Sequence, residues 1–299
     1  MMPIIDAQVH LNMVGIEAGL VAMDACGIDA MVIDEFRGFD PRGRPLPAVP
    51  LPGGSVRHVQ PLAELAVTLH PERFAYITRA QPDDPDLERV VADVAGRPAC
   101  LGLRILPFVP HPPSAGEQPE NEAAVEALAR TLVGGQYDDY FAFAEAARVP
   151  VFVQVNGIGI AGRLDAIRLI AAAHPALPVV LDHMGVAMPG SRTHRPDRFA
   201  QFEEVCALAE LPNVHLKWGH ATRLAEQPYP FPDVREVLHR VVAAFGSARV
   251  MWASDWTLDL EWSSWAESMG YIREDEGLTA RERDDILGGT VERVLGWSP

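Results

Sequence analysis

Short, nearly continuous apolar runs recur along this chain, separated by longer stretches with helical spacing. A strand with one face in water alternates apolar and polar residues. A run that is apolar throughout is buried on both faces, as in a parallel sheet covered by helices. Eight such runs occur, at 3–9, 30–33, 74–78, 101–106, 151–155, 179–181, 214–218 and 250–253. Helical patterns fall between them at 15–25, 62–69, 87–94, 140–147, 163–173, 199–208 and 234–245. In the third of these, Leu87, Val90, Val91 and Val94 fall on one helical face. Strand–helix alternation of this kind predicts an α/β fold, a (β/α)8 TIM barrel with a closed sheet of eight parallel strands. Beyond the last strand the tail also reads as helical, because Thr279 and Glu282 have capping-box spacing. No second-domain boundary and no fixed-period repeat is evident, so residues 1–299 are read as one domain. The rival doubly wound sheet, in its dinucleotide-binding form, needs a Gly-rich turn after an early strand, and the first run ends instead in Gln8-Val9-His10.

Two loops stand out. Residues 36–57 follow the second run and are rich in Gly and Pro, and residues 107–119 follow the fourth and hold five prolines. Long loops that follow barrel strands lie on the C-terminal face, where barrel active sites are built.

Charge and cysteine usage narrow the function classes. A net charge of −16 with no basic stripe argues against nucleic acid as a partner. Cys26, Cys100 and Cys206 are scattered and odd in number, which fits neither a disulfide framework nor a zinc knuckle and suits a reducing cytoplasm. The N-terminus has no secretory pattern, and no apolar run approaches the ~20 residues that cross a bilayer, so no membrane partner is expected.

The chemistry gathers where the strands end. The runs close in turn on Gln8 and His10; Asp34, Glu35 and Arg37; Arg79 and Gln81; Arg104; Gln154 and Asn156; Asp182 and His183; Lys217 and His220; and Ser254 and Asp255. A single His after a strand is more often a satisfied turn residue than a catalyst. Eight strands agreeing is different, because so many ionisable groups at one rim are costly to bury without a purpose. Taken singly, Asp182 reads as a buttress, Arg104 as equally a clamp or an internal ion-pair partner, and Lys217 as more often an ion-pair partner. His111, His194 and His215 read as surface or loop residues, and Trp218, Trp252 and Trp256 as pocket wall or rim.

At these residues the chain resembles the amidohydrolase superfamily, of the amidohydrolase-2 type. The resemblance rests on Ile5-Asp6-Ala7-Gln8-Val9-His10, on the segments 23–29 and 149–154, and above all on Leu181-Asp182-His183-Met184-Gly185 and Trp252-Ala253-Ser254-Asp255-Trp256. It extends over essentially the whole chain. The similar subgroup holds carboxylic-acid lactonases, those of 2-pyrone-4,6-dicarboxylate and of sugar acids among them, and metal-dependent decarboxylases. The family pattern implies His-x-His on the first strand, His on the fifth and sixth, and Asp on the eighth, around one or two divalent metals. Here Gln8 and Gln154 stand where two of those His belong, while His10, His183 and Asp255 are kept. Zinc takes Cys, His and carboxylate ligands, and an amide oxygen is a weak substitute. No cofactor is therefore expected; the alternative is one divalent metal such as zinc on His10, His183 and Asp255.

What the resemblance implies is a hydrolase, or an isomerase, of a small carboxylated or sugar-acid lactone. Asp255 would act as general base, and His10 and His183 would stabilise the oxyanion. Gln8, Arg79, Arg104, Gln154, Lys217, His220 and Arg37 would bind the substrate, the arginines because their forks match carboxylates. Lys217 and His220 are alternatively a second acid–base pair. The rival readings are a metal-dependent decarboxylase or hydratase on the same fold, and a metal-free binding protein. The expected partner is a small anionic or sugar-acid-like molecule, with a homodimer as a further expectation.

Overall fold

The structure is a computed structural model that describes residues 2–35, 48–52, 56–105, 135, 137–154, 163–186, 199 and 202–299. Eight strands form one parallel sheet: β1 (Ile5–Val9), β2 (Ala30–Ile33), β3 (Phe74–Thr78), β4 (Cys100–Ile105), β5 (Val151–Gln154), β6 (Val179–Asp182), β7 (Val214–Gly219) and β8 (Val250–Ala253). They pair in chain order, each with the next, which is the topology of a (β/α)8 TIM barrel. Helices α1 (Ile16–Cys26), α2 (Pro61–Leu69), α3 (Leu87–Ala95), α4 (Asp138–Ala147), α5 (Arg163–Ala173), α6 (Phe202–Ala207) and α7 (Pro232–Phe245) occupy the connections.

The continuous apolar runs are explained by two cores. Period-two alternation sends Ile5, Ala7, Ala30, Val32, Ala75, Ile77, Phe152, Val180, Met251 and Ala253 into the barrel. Their neighbours Met31, Ile33, Phe74, Tyr76, Val151, Val153, Val179, Leu181 and Leu216 face the helices. The interior cluster also takes in Val291, Leu295 and Trp297 from the last helical segment. There a Cβ on Gly288 would come within 2.0 Å of the Pro3 carbonyl oxygen, just ahead of β1. The C-terminal helix thus covers the N-terminal end of the barrel and leaves the opposite end for the site.

Closure of the barrel depends on a side chain. Between β8 and β1 the Asp255 N–H donates to the Gln8 carbonyl at 3.1 Å. Next to it, the buried Asp6 carboxylate accepts from the Ser254 N–H at 2.9 Å, the Ser254 hydroxyl, the Trp265 Nε1–H at 2.6 Å and the Gln8 N–H at 3.1 Å. Burial pushes its pKa up to about 6 despite the bonds from Ser254 and Gln8.

Sequence and structure differ locally. β1 begins at Ile5 and not at residue 3, and the stretch expected as loop between 36 and 57 contains a short antiparallel hairpin, Ala48–Pro50 with Val56–His58. The loop expected at 107–119 lies outside the described residues. The Thr279–Glu282 capping box forms as expected, with Thr279 Oγ1 accepting from the Glu282 N–H at 3.2 Å. No helix among the described residues is long and apolar enough to cross a membrane.

Candidate active site

The polar strand ends occupy two tiers at the C-terminal mouth. In the lower tier, inward positions of β4, β6 and β7 carry Arg104, Asp182 and Lys217, with Gln8 from β1. Arg104 Nε lies 2.5 Å from Asp182 Oδ2, and its Nη1 is paired with Asp34. Arg79 Nη2 holds the other Asp34 oxygen at 3.0 Å. Lys217 Nζ lies 2.7 Å from Asp182 Oδ1, donates to Gln8 Oε1 at 2.9 Å, and sits 4.5 Å over the Phe152 ring. Burial alone would raise the Asp182 pKa, but Arg104 and Lys217 hold it well below the carboxylate range. Lys217 is pulled down by the same burial, against the opposing effect of Asp182. Two carboxylates face three cations here, so each charge has an internal partner, as buried ions require.

The upper tier is set by strained backbone. His183 and His220 directly follow β6 and β7, Asp255 follows β8 after Ser254, and all three adopt left-handed φ values, +50°, +57° and +52°. Such values are uncommon for residues with a Cβ and cost of order 1–3 kcal/mol each, so they persist where the surroundings enforce them. Here three adjacent strand ends turn their side chains toward one another. Asp255 Oδ1 lies 3.0 Å from His10 Nε2. Its Oδ2 lies 2.8 Å from His220 Nε2 and accepts from Gln8 Nε2 at 2.8 Å. Burial would raise the Asp255 pKa, but His10 and His220 overcome it and hold the carboxyl well below its ordinary range. Burial would lower His220, yet Asp255 and Asp259 on its two nitrogens bring it up to about 9. A carboxylate oxygen on each ring nitrogen favours the imidazolium form of His220.

His183 is in the opposite state. Its Nε2 faces Arg104 Nη2 at 3.3 Å, and a guanidinium only donates, so that nitrogen accepts and Nδ1 carries the proton. Burial and the nearby His220 ring, 4.3 Å away between centroids, keep it neutral. The Nδ1 atom is buried, has no hydrogen-bond partner among the described residues, and lies 4.0 Å from Asp255 Oδ2. Gly219 keeps the neighbouring space open, since a Cβ there would stand 3.5 Å from Nδ1. The result is an N–H donor beside a carboxylate, the pairing that polarises a carbonyl while a base acts on water.

Gln8, His10, His183, His220 and Asp255 form one cluster. Gln154 ends β5 in register with Asp182. Arg79, Arg104 and Lys217 all have internal carboxylate partners, and Lys217 pairs with Asp182 and Gln8, not with His220. Arg37, Asn156, His111 and His194 lie outside the described residues. Two expectations are corrected. Trp218 and Trp252 do not wall the pocket: they face the helix layer, and Trp218 Nε1 donates to the Tyr271 hydroxyl at 2.5 Å. His215 is a half-buried residue of β7, not a surface or loop residue, and burial lowers its pKa to about 4. Asp34 is among the polar strand ends of the sequence but carries no assigned role there, and Asp259 and Arg223 are not among its site candidates. The clue for Asp34 is its place after β2 with inward parity; the clue for Asp259 is its spacing of one helical turn from Asp255.

The sequence-expected metal set was His10, His183 and Asp255. Among the described residues the donor atoms in mutual range, within 4.8 Å, belong to His183, His220 and Asp255. This set fits an ion poorly. Coordination through His183 Nδ1 would place the ring proton on Nε2, donor against donor with Arg104. Gln8, on the fourth side, already donates its amide to Asp255 and accepts from Lys217.

A family model for amidohydrolases matches residues 5–297. The chain belongs to the amidohydrolase family. No curated protein sequence matches it significantly. Among solved structures, an amidohydrolase from Burkholderia multivorans with bound HEPES is 19% identical, with a TM-score of 0.67 over 98% of this chain and 99% of that one. The Burkholderia multivorans amidohydrolase in a second crystal form, with bound zinc, is 18% identical, with a TM-score of 0.65 over 98% and 99%. A Pseudomonas putida protein provisionally assigned as a 2-pyrone-4,6-dicarboxylic acid hydrolase is 20% identical, with a TM-score of 0.62 over 99% of this chain and 98% of that one. The 2,6-dihydroxybenzoate decarboxylase from Rhizobium is 14% identical, with a TM-score of 0.57 over 99% of each chain. At these identities the neighbours establish the fold that this amidohydrolase shares, and its chemistry must be argued from its own residues.

Proposed function

We propose that this amidohydrolase hydrolyses a small carboxylated or sugar-acid lactone without a resident metal, with Asp255 as general base. The observation that carries the reading is the coordination of Asp255 by His10, His220 and Gln8, at positions where the family pattern would place metal. A lactone suits such a site, because its alkoxide leaving group is easier to expel than an amine and needs less electrophilic help.

The steps follow from the geometry. A water beside Asp255 gives its proton to the carboxylate as its oxygen bonds to the lactone carbonyl carbon. The oxyanion that forms is stabilised by the His183 Nδ1–H, while His10, between the Asp34 carbonyl and Asp255, holds the base in place. Collapse breaks the ring C–O bond, and the leaving oxygen takes the proton from His220 Nε2. Asp255 then returns its proton to His220. Arg79 keeps Nε without a partner among the described residues, so it is better placed than Arg104 to hold a substrate carboxylate. Gln154 and Arg37 remain proposed contacts from the sequence. A lactone isomerase would use the same groups with a substrate hydroxyl in place of water.

The test is a panel of carboxylated and sugar-acid lactones followed by proton release. Turnover of at least one member, reduced at least about 1,000-fold by Asp255→Asn, is expected for loss of a general base. Turnover that survives this substitution, or a wild-type enzyme that decarboxylates substrates and opens no lactone, would overturn the proposal.

A further inference from the structure

Asp259 takes no part in the steps above, yet it is fully buried beside them. The one-turn helix Trp256–Asp259 follows Asp255, so Asp255 caps the turn and Asp259 closes it. His220 lies between them. Its Nδ1 is 2.8 Å from Asp259 Oδ1, and its Nε2 is 2.8 Å from Asp255 Oδ2. The same Asp259 oxygen accepts from Arg223 Nε at 2.7 Å, and Arg223 Nη2 donates to the Leu258 carbonyl at 3.2 Å. Arg223 thus ties the segment after β7 to the segment after β8.

We propose that Asp259, held by Arg223, is a positioning residue that fixes the His220 tautomer, so that Nε2 is the nitrogen that gives up and regains the proton. This rests on the reading of Asp255 and His220 as base and acid. An ionised carboxylate only accepts, so Nδ1 keeps its proton whether the ring is charged or neutral. When His220 protonates the leaving oxygen, the vacancy opens on Nε2, beside the Asp255 oxygen that has just taken a proton from water. The return transfer closes the cycle, and Asp259 neither gains nor loses a proton. Without Asp259 the neutral ring is free to keep its proton on Nε2, where it blocks that transfer. The same logic orients the imidazole in Asp–His pairs on other folds.

The test uses the full chain with Asp259→Asn, Asp259→Ala and Arg223→Gln, checked for folding by circular dichroism. Expected is a fall in kcat of about 10- to 100-fold for the Asp259 variants, with KM little changed and a smaller fall for Arg223→Gln. Nitrogen-15 NMR of the wild type should show a strongly hydrogen-bonded Nδ1–H on His220 that is lost in Asp259→Ala. If kcat and that signal both survive in folded Asp259 variants, the inference fails, even where Asp255→Asn has abolished lactone turnover. If no lactone is turned over but the signal is present and depends on Asp259, the lactonase reading fails and the tautomer assignment stands.

Discussion

Asp6→Ala is expected to loosen the barrel seam in a pH-dependent way. The substitution removes the acceptor for three buried N–H groups, those of Ser254, Gln8 and Trp265; the Ser254 hydroxyl can turn elsewhere. Each stranded donor costs about 1–3 kcal/mol. Against this, the variant no longer buries an ionised carboxylate. The folded pKa of Asp6 is raised from 3.8 to about 6. A raised folded pKa means stability that is fully present below the unfolded value and lost as pH rises through the folded one, here about 3 kcal/mol in all. The net loss in Asp6→Ala is therefore about 3 kcal/mol at pH 7. It is larger by about 2 kcal/mol at pH 4.5, where the wild-type carboxyl is mostly protonated when folded. Urea unfolding of both proteins at the two pH values reads the difference directly. A gap that stays constant, or widens toward pH 7, would refute the assignment of Asp6 as a buried carboxylate closing the seam.

Three further outcomes are expected. Lys217→Met should destabilise by about 3–5 kcal/mol in urea unfolding, because the buried Asp182 loses one of its two cations. Gly288→Ala should cost at least about 2 kcal/mol and lower the melting temperature, since its Cβ would meet the Pro3 backbone and not a flexible side chain. The turnover rate should fall as pH rises through about 9, where His220 loses the proton that the leaving group needs. A rate that keeps climbing above pH 10 would exclude His220 as the acid. For stability the sign is the same: the raised His220 pKa contributes fully below 6.5 and is lost as pH passes about 9.

The barrel was legible because each strand is buried on both faces, so β2, β3 and β8 have the same limits in sequence and structure. β6 runs one residue further than expected, since Asp182 continues the strand into the site; β7 runs on to Gly219, and β4 begins one residue earlier, at Cys100. Side-chain direction is legible in the period-two pattern. With Lys217 inside the barrel, period two sends Trp218 to the helices and His215 inward, the reverse of their expected places. Other features have no local signal. The partners of Asp6 are 2, 248 and 259 residues away, and nothing near β1 announces that β8 lacks a ladder to it. The left-handed φ of His183, His220 and Asp255 likewise depends on the closed barrel, because none of these residue types demands it.

The account turns on whether Asp255 is held by protons or by a metal. Elemental analysis of the purified protein, with lactone turnover measured before and after exhaustive chelation, decides this most directly. The account predicts substoichiometric zinc, manganese and iron, and a turnover rate unchanged by chelation and by added metal. One metal per chain, with turnover lost on chelation and restored by zinc, would contradict it.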